Sequence, residues 1–168
     1  DNYNWCGPSR SRFGRGIVNH DWFQLLGGDG FHAIPDLLDS RIVYTESQNG
    51  NISRYDLNTG ASQSVRPSAA GGGRGGGGGG QGGGAGRGNI IAGPDDPWPQ
   101  GFNWNSPIRI SPHNPATVLF AGSRFFVSRD RGQTWTQSTP LGKKIDPSTR
   151  NLLEKPYSLP NCGGNPGQ

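Results

Sequence analysis

The chain has 168 residues, of which 30% are hydrophobic and 30 are glycine, and its formal net charge is +4. Such a low content of hydrophobic residues predicts a small core that is completed by sequence outside this chain. We therefore expect the chain to be a piece of a longer protein. No segment approaches the ~20 apolar residues of a membrane-spanning helix, so no membrane span is predicted.

The first half of the chain predicts a β-hairpin. Residues 42–45 and 51–55 are rich in β-branched and aromatic side chains, which favour strands. Asn49 and Gly50 stand between the two segments, and this dipeptide is a strong signal for a tight hairpin turn. We assign residues 1–70 to a first sheet with a preceding loop.

A glycine-rich insert follows at residues 71–88, where 14 of 18 residues are glycine. Glycine loses the most backbone entropy on ordering and has no side chain to pack, so a flexible, disordered loop is predicted. Arg74 and Arg87 lie in this insert, but two arginines are too few for an RNA-binding segment of the Arg-Gly-Gly kind. We therefore predict no nucleic-acid partner.

The second half predicts four more short strands, at residues 108–110, 117–121, 124–127 and 134–136, separated by proline and glycine. They place a second sheet within residues 89–140, and residues 141–168 read as an irregular connecting segment. The pattern gives no helix of ten or more residues. The predicted fold class is therefore all-β.

The two halves resemble each other at a spacing of about 76 residues. Residues 42–44 match residues 118–120, Ile34 matches Ile110, and a gap of two residues at the hairpin brings Asp56 onto Asp130. Without the insert the period is roughly 58 residues, close to the ~40 to 50 of a four-stranded propeller blade plus a longer loop. The sequence thus predicts about two four-stranded blades of a partial β-propeller, with a β-sandwich as the open alternative.

One motif is specific. Ser128-Arg-Asp130-Arg-Gly132-Gln-Thr134-Trp135 matches the Asp box, the pattern Ser-x-Asp-x-Gly-x-Thr-Trp of bacterial neuraminidase repeats. Asp130 is expected to accept backbone N–H bonds within a tight turn, Gly132 to supply a left-handed conformation, and Trp135 to bury its ring between sheets. The motif is interpreted as structural rather than ligand-binding.

Outside the insert, the chain resembles Asp-box propellers of the glycosyl hydrolase-like and sortilin type. The segments that carry the resemblance are residues 5–9, 21–23, 27–31, 44–48, 51–56 and 102–107. It implies an extracellular or periplasmic protein whose remaining blades would pack against these two. Such families include glycosidases as well as non-catalytic sorting receptors, so the resemblance leaves the activity open.

Asp29 is the candidate catalytic carboxylate, because its flanking glycines would let the backbone approach a ligand closely. A glycosidase needs a second, opposed carboxyl group, and that group would lie on a missing blade. Asp21 and Glu46 are weaker candidates. For each acid, a plain turn or surface role is the competing interpretation.

Three residues are candidates for ligand binding. Trp104 and Trp22 would stack on sugar rings or a peptide, although sealing a blade interface is the competing role for such tryptophans. Arg12, within the cluster that also contains Arg10 and Arg15, would contact an acidic group. We predict no cofactor and no metal, because the three histidines lack metal-ligating spacing.

The predicted function is a secreted binding module for a glycan or protein ligand. The alternative is a glycoside hydrolase of the sialidase or xyloglucanase kind, so enzymatic activity stays open. Cys6 and Cys162 lie too far apart for a zinc knuckle or a redox Cys-x-x-Cys motif. They are a possible disulfide, or each pairs with a cysteine elsewhere.

Overall fold

The computed structural model describes residues 2–69, 88–94 and 101–142, together with two short strands at 151–152 and 155–156. The predicted all-β class is confirmed, because the described residues form small sheets joined by turns and two single 3₁₀ turns. Most of the glycine-rich insert and nearly all of residues 141–168 lie outside the described residues, so their predicted roles stay predictions.

The chain opens with a two-stranded antiparallel sheet of β1 (Asn4–Cys6) and β2 (Phe23–Leu26). A 3₁₀ turn at Asn19–Asp21 lies in the connection between them, just before β2. This pair lies across β3 and β4 of the next sheet. Leu25 and Val43 are both buried. Sequence reasoning assigned these residues to a loop and missed both strands.

The next sheet, called sheet 1 below, is an antiparallel meander in the order β3-β4-β5-β6. Its strands are β3 (Gly30–Pro35), β4 (Ile42–Ser47), β5 (Asn51–Asp56) and β6 (Ser62–Ser64). The 3₁₀ turn Gln48–Gly50 joins β4 to β5, with positive φ at Asn49 and Gly50. Both residue types tolerate that conformation, which explains the predicted hairpin.

Sheet 2 contains the other predicted strands, each within one residue of its predicted bounds. β8 (Ile108–Ile110), β9 (Val118–Ala121), β10 (Phe125–Ser128) and β11 (Trp135–Gln137) form a second antiparallel meander. β7 (Ile90–Ala92) pairs in parallel with β11 at the sheet edge. β12 (Asn151–Leu152) and β13 (Lys155–Pro156) form a separate antiparallel pair.

The two meanders share their strand order, but their repeat is offset from the predicted alignment. Ile42 and Val118 were predicted to be equivalent, yet Ile42 pairs with Asp56 whereas Val118 pairs with Ser128. Strand pairing therefore makes Asp56 equivalent to Ser128, two residues before the predicted equivalent Asp130. The two turns still use a similar device, because the Asp56 carboxylate accepts the backbone N–H groups of Asn58 and Thr59.

The core lies between sheet 1 and sheet 2. Alternation along β9 points Val118 and Phe120 into it. The Phe102 ring stacks on Phe120 with centroids 5.2 Å apart and on Phe126 at 5.6 Å. The buried cluster draws on both sheets and on residue 102 before β8: Tyr44, Ile52, Val65, Phe102, Ile108, Val118, Phe120, Phe126 and Trp135.

We expect Trp135→Phe to lower the free energy of unfolding by about 1 to 3 kcal/mol, because it leaves the buried Val65 carbonyl without its indole donor and opens space beside Phe120. Urea titration followed by circular dichroism measures the change. The matched control is Trp104→Phe, at a side chain 55% exposed. Equal loss in both variants would contradict the assigned role of the indole bond.

Candidate functional site

The loops between the strands gather at two opposite ends of the sheets. The loop end is defined by residues 27–29, by the turn Gln48–Gly50 and by residues 103–106. The Asp-box end is defined by residues 128–135 and by Asp36 after β3. The candidate residues divide between these two ends and the β1–β2 connection.

At the Asp-box end, the motif is held by its own side chains. The Asp130 carboxylate accepts the Thr134 backbone N–H at 2.8 Å and the Thr134 hydroxyl at 2.6 Å. The Ser128 hydroxyl donates to Asp130 at 2.7 Å and accepts the Gly132 N–H at 2.8 Å. Burial raises the pKa of Asp130, but these hydrogen bonds outweigh it and leave that pKa below its ordinary value.

The same turn also docks on sheet 1. Arg131 has a φ of 61°, and its carbonyl accepts a hydrogen bond from Arg54 at 3.2 Å. Its guanidinium Nε lies 3.6 Å from the buried Asp36 carboxylate. Gly132 packs against Val65 at a φ of 85°, where a side chain would be strained and would crowd that valine. The Asp-box motif therefore joins the two sheets.

An open groove of about 420 Å³ runs beside this turn. Its charged lining is already engaged: Arg54 bonds Gln63 and the turn, and Asp39 forms a 2.7 Å ion pair with Arg41. The Arg41 hydrogen bonds hold the pKa of Asp39 at about 2. These contacts make the groove a polar seam between the sheets.

At the loop end, Asp29 is half-buried and its backbone N–H donates to the Gln48 side chain at 2.7 Å. Gly28 leaves room for that same Gln48 side chain, and Gly30 lies against the backbone of Tyr3. The close approaches that its flanking glycines permit are therefore to other parts of this chain. Asp29 lies, half-buried, in the loop end beside the turn Gln48–Gly50.

An aromatic pair lies beside this loop. Tyr3 and Trp5 meet edge to face with centroids 6.4 Å apart, and their side chains are 40% and 49% exposed. The Tyr3 N–H donates to the Gly28 carbonyl at 2.9 Å, and Tyr3 has a φ of 56°, a conformation that is rare for an aromatic residue and typical of functional or strained positions. Sequence reasoning missed Tyr3, since no local signal predicts this backbone state.

Trp104 reaches the same end. Its side chain is 55% exposed, and its carbonyl accepts the Asn49 N–H at 3.2 Å. The turn Gln48–Gly50 therefore links two predicted site residues, Trp104 and Asp29, through adjacent positions.

Two other predicted ligand-binding residues lie elsewhere. On the β1–β2 ladder, Asn4 pairs with Leu26 at the loop end, whereas Cys6 pairs with Phe23 at the far end. Trp22, which is 47% exposed, lies at that far end against Gly7. Arg12 is exposed in the connection between the two strands. The structure does not bring Trp22 and Arg12 together with Asp29.

Of the two weaker candidates, Asp21 caps its own turn by accepting the Val18 N–H at 2.9 Å. Glu46 differs, because it is fully buried between the sheets, opposite His32 on the β3–β4 ladder. One of its oxygens accepts the Ser106 N–H at 3.1 Å, and the other has no hydrogen-bond partner among the described residues. Burial raises the pKa of Glu46 to about 7, and the Ser106 bond offsets part of that rise.

This carboxyl predicts a specific pH dependence of stability. Its folded pKa of about 7 exceeds the ordinary 4.5, so the contribution of Glu46 to stability is fully present below pH 4.5 and is lost as the pH rises through 7. The full difference corresponds to about 3 kcal/mol. We expect Glu46→Gln, which is neutral at every pH, to remove this decline and to stabilise the chain at pH 8.

Urea midpoints at pH 5 and pH 8 test this dependence. Asp39→Asn is the control, since it alters a half-buried carboxylate outside the core and should leave the decline in place. If the decline persisted unchanged in Glu46→Gln, the titrating group would be a different one.

Cys6, at the end of β1, forms no disulfide with a described residue. Cys162 lies outside the described residues, so their pairing stays a prediction. Among the described residues, no three His, Cys, Asp or Glu side chains gather as a metal site. Nor does any helix in those ranges have the length and apolar character to cross a membrane.

Comparison with known proteins gives no family assignment. No protein-family model matches the chain, and neither curated proteins nor solved structures give a match. The resemblance to Asp-box propellers therefore rests on the sequence motif and the sequence segments that carry it.

Proposed function

We propose that this chain forms two blades of a secreted Asp-box β-propeller, and that the loop end binds a glycan. One observation carries the proposal: the exposed Tyr3–Trp5 pair lies against the loop that presents Asp29, and Trp104 reaches the same end. Exposed aromatic rings beside fixed polar groups are the usual composition of a carbohydrate site.

The chemistry of these groups suits a sugar. The apolar face of a pyranose ring stacks on an indole or phenol ring, and the Asp29 carboxylate accepts hydrogen bonds from hydroxyl groups. The Asp29 N–H bond to Gln48 and the Tyr3 N–H bond to Gly28 fix this loop before a ligand arrives. A fixed site loses less entropy on binding, which supports recognition by few contacts.

The contacts at the Asp-box end favour a structural role for that end and a binding role for the loop end. The Asp box uses its carboxylate, hydroxyl and indole groups in contacts within this chain. That arrangement favours a structural role for Ser128, Asp130, Gly132, Thr134 and Trp135. The two meanders have the strand order of consecutive blades, so the remaining blades of a parent chain are the proposed partners that would complete the ring.

We expect Trp5→Ala and Trp104→Ala each to weaken binding of a neutral oligosaccharide about tenfold, by removing a stacking surface. Titration calorimetry against a glycan panel measures the affinity. Leu38→Ala is the control, because Leu38 is 76% exposed and lies beside Asp36 at the Asp-box end, away from the proposed site. Unchanged affinity in both tryptophan variants would refute this glycan site, and capture of a protein ligand would favour the other binding role.

A glycoside hydrolase is the second candidate. Asp29 is at the proposed site, and the protonated form of Glu46 near neutral pH suits a general acid. However, Glu46 is fully buried, which keeps its carboxyl away from a bound sugar in this structure. A hydrolase would therefore need its second carboxyl from a blade outside the described residues, at about 5 to 9.5 Å from Asp29.

We expect the parent protein to bind oligosaccharides without cleaving them. Release of reducing ends from a polysaccharide panel is the measurement. Asp29→Asn should then change affinity only, through loss of one acceptor charge. Cleavage by the wild type that disappears in Asp29→Asn, with an unchanged circular dichroism spectrum, would establish the hydrolase instead.

A further inference from the structure

The connection between β1 and β2 carries a dense, exposed positive charge. Within residues 10–17, called the basic loop here, Arg10, Arg12 and Arg15 are all exposed. Phe13, between them, has 83% of its surface exposed, more than any other large hydrophobic residue described. The three guanidinium groups and the ring therefore form one exposed surface of mixed positive and aromatic character.

The charges of the basic loop are not neutralised by the rest of the described structure. None of the three arginines makes an ion pair or a side-chain hydrogen bond with a described residue. No acidic residue occurs in the sequence from Asn2 to His20. The three guanidinium groups therefore remain available to an external anion.

The loop is nevertheless shaped. The Gly16 N–H donates to the Phe13 carbonyl at 2.9 Å, and the Phe13 N–H donates to the Ser11 hydroxyl at 3.1 Å. Nothing lies within 4 Å of the places where Gly14 and Gly16 would carry a side chain, so the tip stands clear of the sheets. Its base is anchored, because Trp22 covers Gly7. A fixed, protruding turn presents its side chains at defined spacings.

We propose that the basic loop is a second binding site, separate from the loop end, for an acidic polysaccharide bearing carboxylate or sulfate groups. Each guanidinium is a planar fork that binds such a group through two parallel N–H bonds. Phe13 and the half-exposed Trp22 near the base offer rings on which sugar faces stack. Arg10 and Arg12, two residues apart, would contact successive acidic groups along the polymer.

Two other anionic partners fit this surface less well. Single-stranded nucleic acid is bound by grooves in which several aromatic rings stack successive bases, whereas this protruding loop offers one ring at its tip and Trp22 near its base. Insertion into an anionic membrane needs a continuous apolar face, whereas Phe13 lies directly between arginines and glycine. An acidic polysaccharide carries spaced negative charges and flat sugar-ring faces, and these are complementary to the separate arginines and the Phe13 ring of the basic loop.

The test compares two triple variants of the full chain with equal net charge. The first changes Arg10→Gln, Arg12→Gln and Arg15→Gln. The control changes Arg41→Gln, Arg109→Gln and Arg129→Gln, which are exposed elsewhere. The probes are polygalacturonate, heparin, neutral dextran, a poly-uridine oligonucleotide, and vesicles of equal parts phosphatidylserine and phosphatidylcholine. Near-ultraviolet circular dichroism confirms folding.

We expect the first variant to lose about tenfold or more in affinity for polygalacturonate or heparin, and the control to lose much less. Phe13→Ala should weaken the same binding without changing the charge. Equal losses in the two triple variants would reduce the effect to net charge and overturn the proposal. Tighter binding of the oligonucleotide or the vesicles than of either polysaccharide would overturn the assigned partner. Failure of the protein to bind neutral glycans would refute only the proposed site at the loop end, because the basic loop is tested with acidic polysaccharides.

Discussion

The structure depends on the docking of the Asp-box turn of sheet 2 on sheet 1. The Trp135 indole reaches the Val65 carbonyl across the interface, and Arg131 approaches Asp36 from the same turn. An indole N–H that bonds a buried carbonyl fixes both position and orientation, whereas apolar burial alone is non-directional. The motif thus sets how one meander sits on the next, in addition to closing its own hairpin.

This docking explains why the two ends of the sheets differ. At the Asp-box end, backbone donors and charged groups are taken up by contacts within the turn and between the sheets, and the groove there is lined by groups already engaged. At the loop end, the contacts among Tyr3, Gly28, Asp29 and Gln48 instead organise a surface that still exposes aromatic rings. Closure at one end therefore contrasts with exposed aromatic rings at the other end, where the glycan site is proposed.

Sequence reasoning succeeded where the signal was local. The strands of sheet 2, the Asn49-Gly50 turn and the hydrogen bonds of Asp130 follow from residue types within a few positions. It placed no strand at β1, β2, β3, β6 or β7, which exist because other strands lie beside them. It also missed Tyr3, whose importance comes from contacts 25 or more residues away. Long-range packing leaves no local pattern to read.

Glu46 lies where the core and the loop end meet. A buried carboxyl with one donor is unfavourable when ionised, and an apolar side chain of similar size would pack there without that penalty. Its bond to Ser106 ties β4 of sheet 1 to the segment that carries Trp104. Because a neutral carboxyl accepts that bond less strongly than a carboxylate, the protonation state of Glu46 adjusts how firmly this segment is held. The same group that lowers stability at high pH therefore positions one wall of the proposed glycan site.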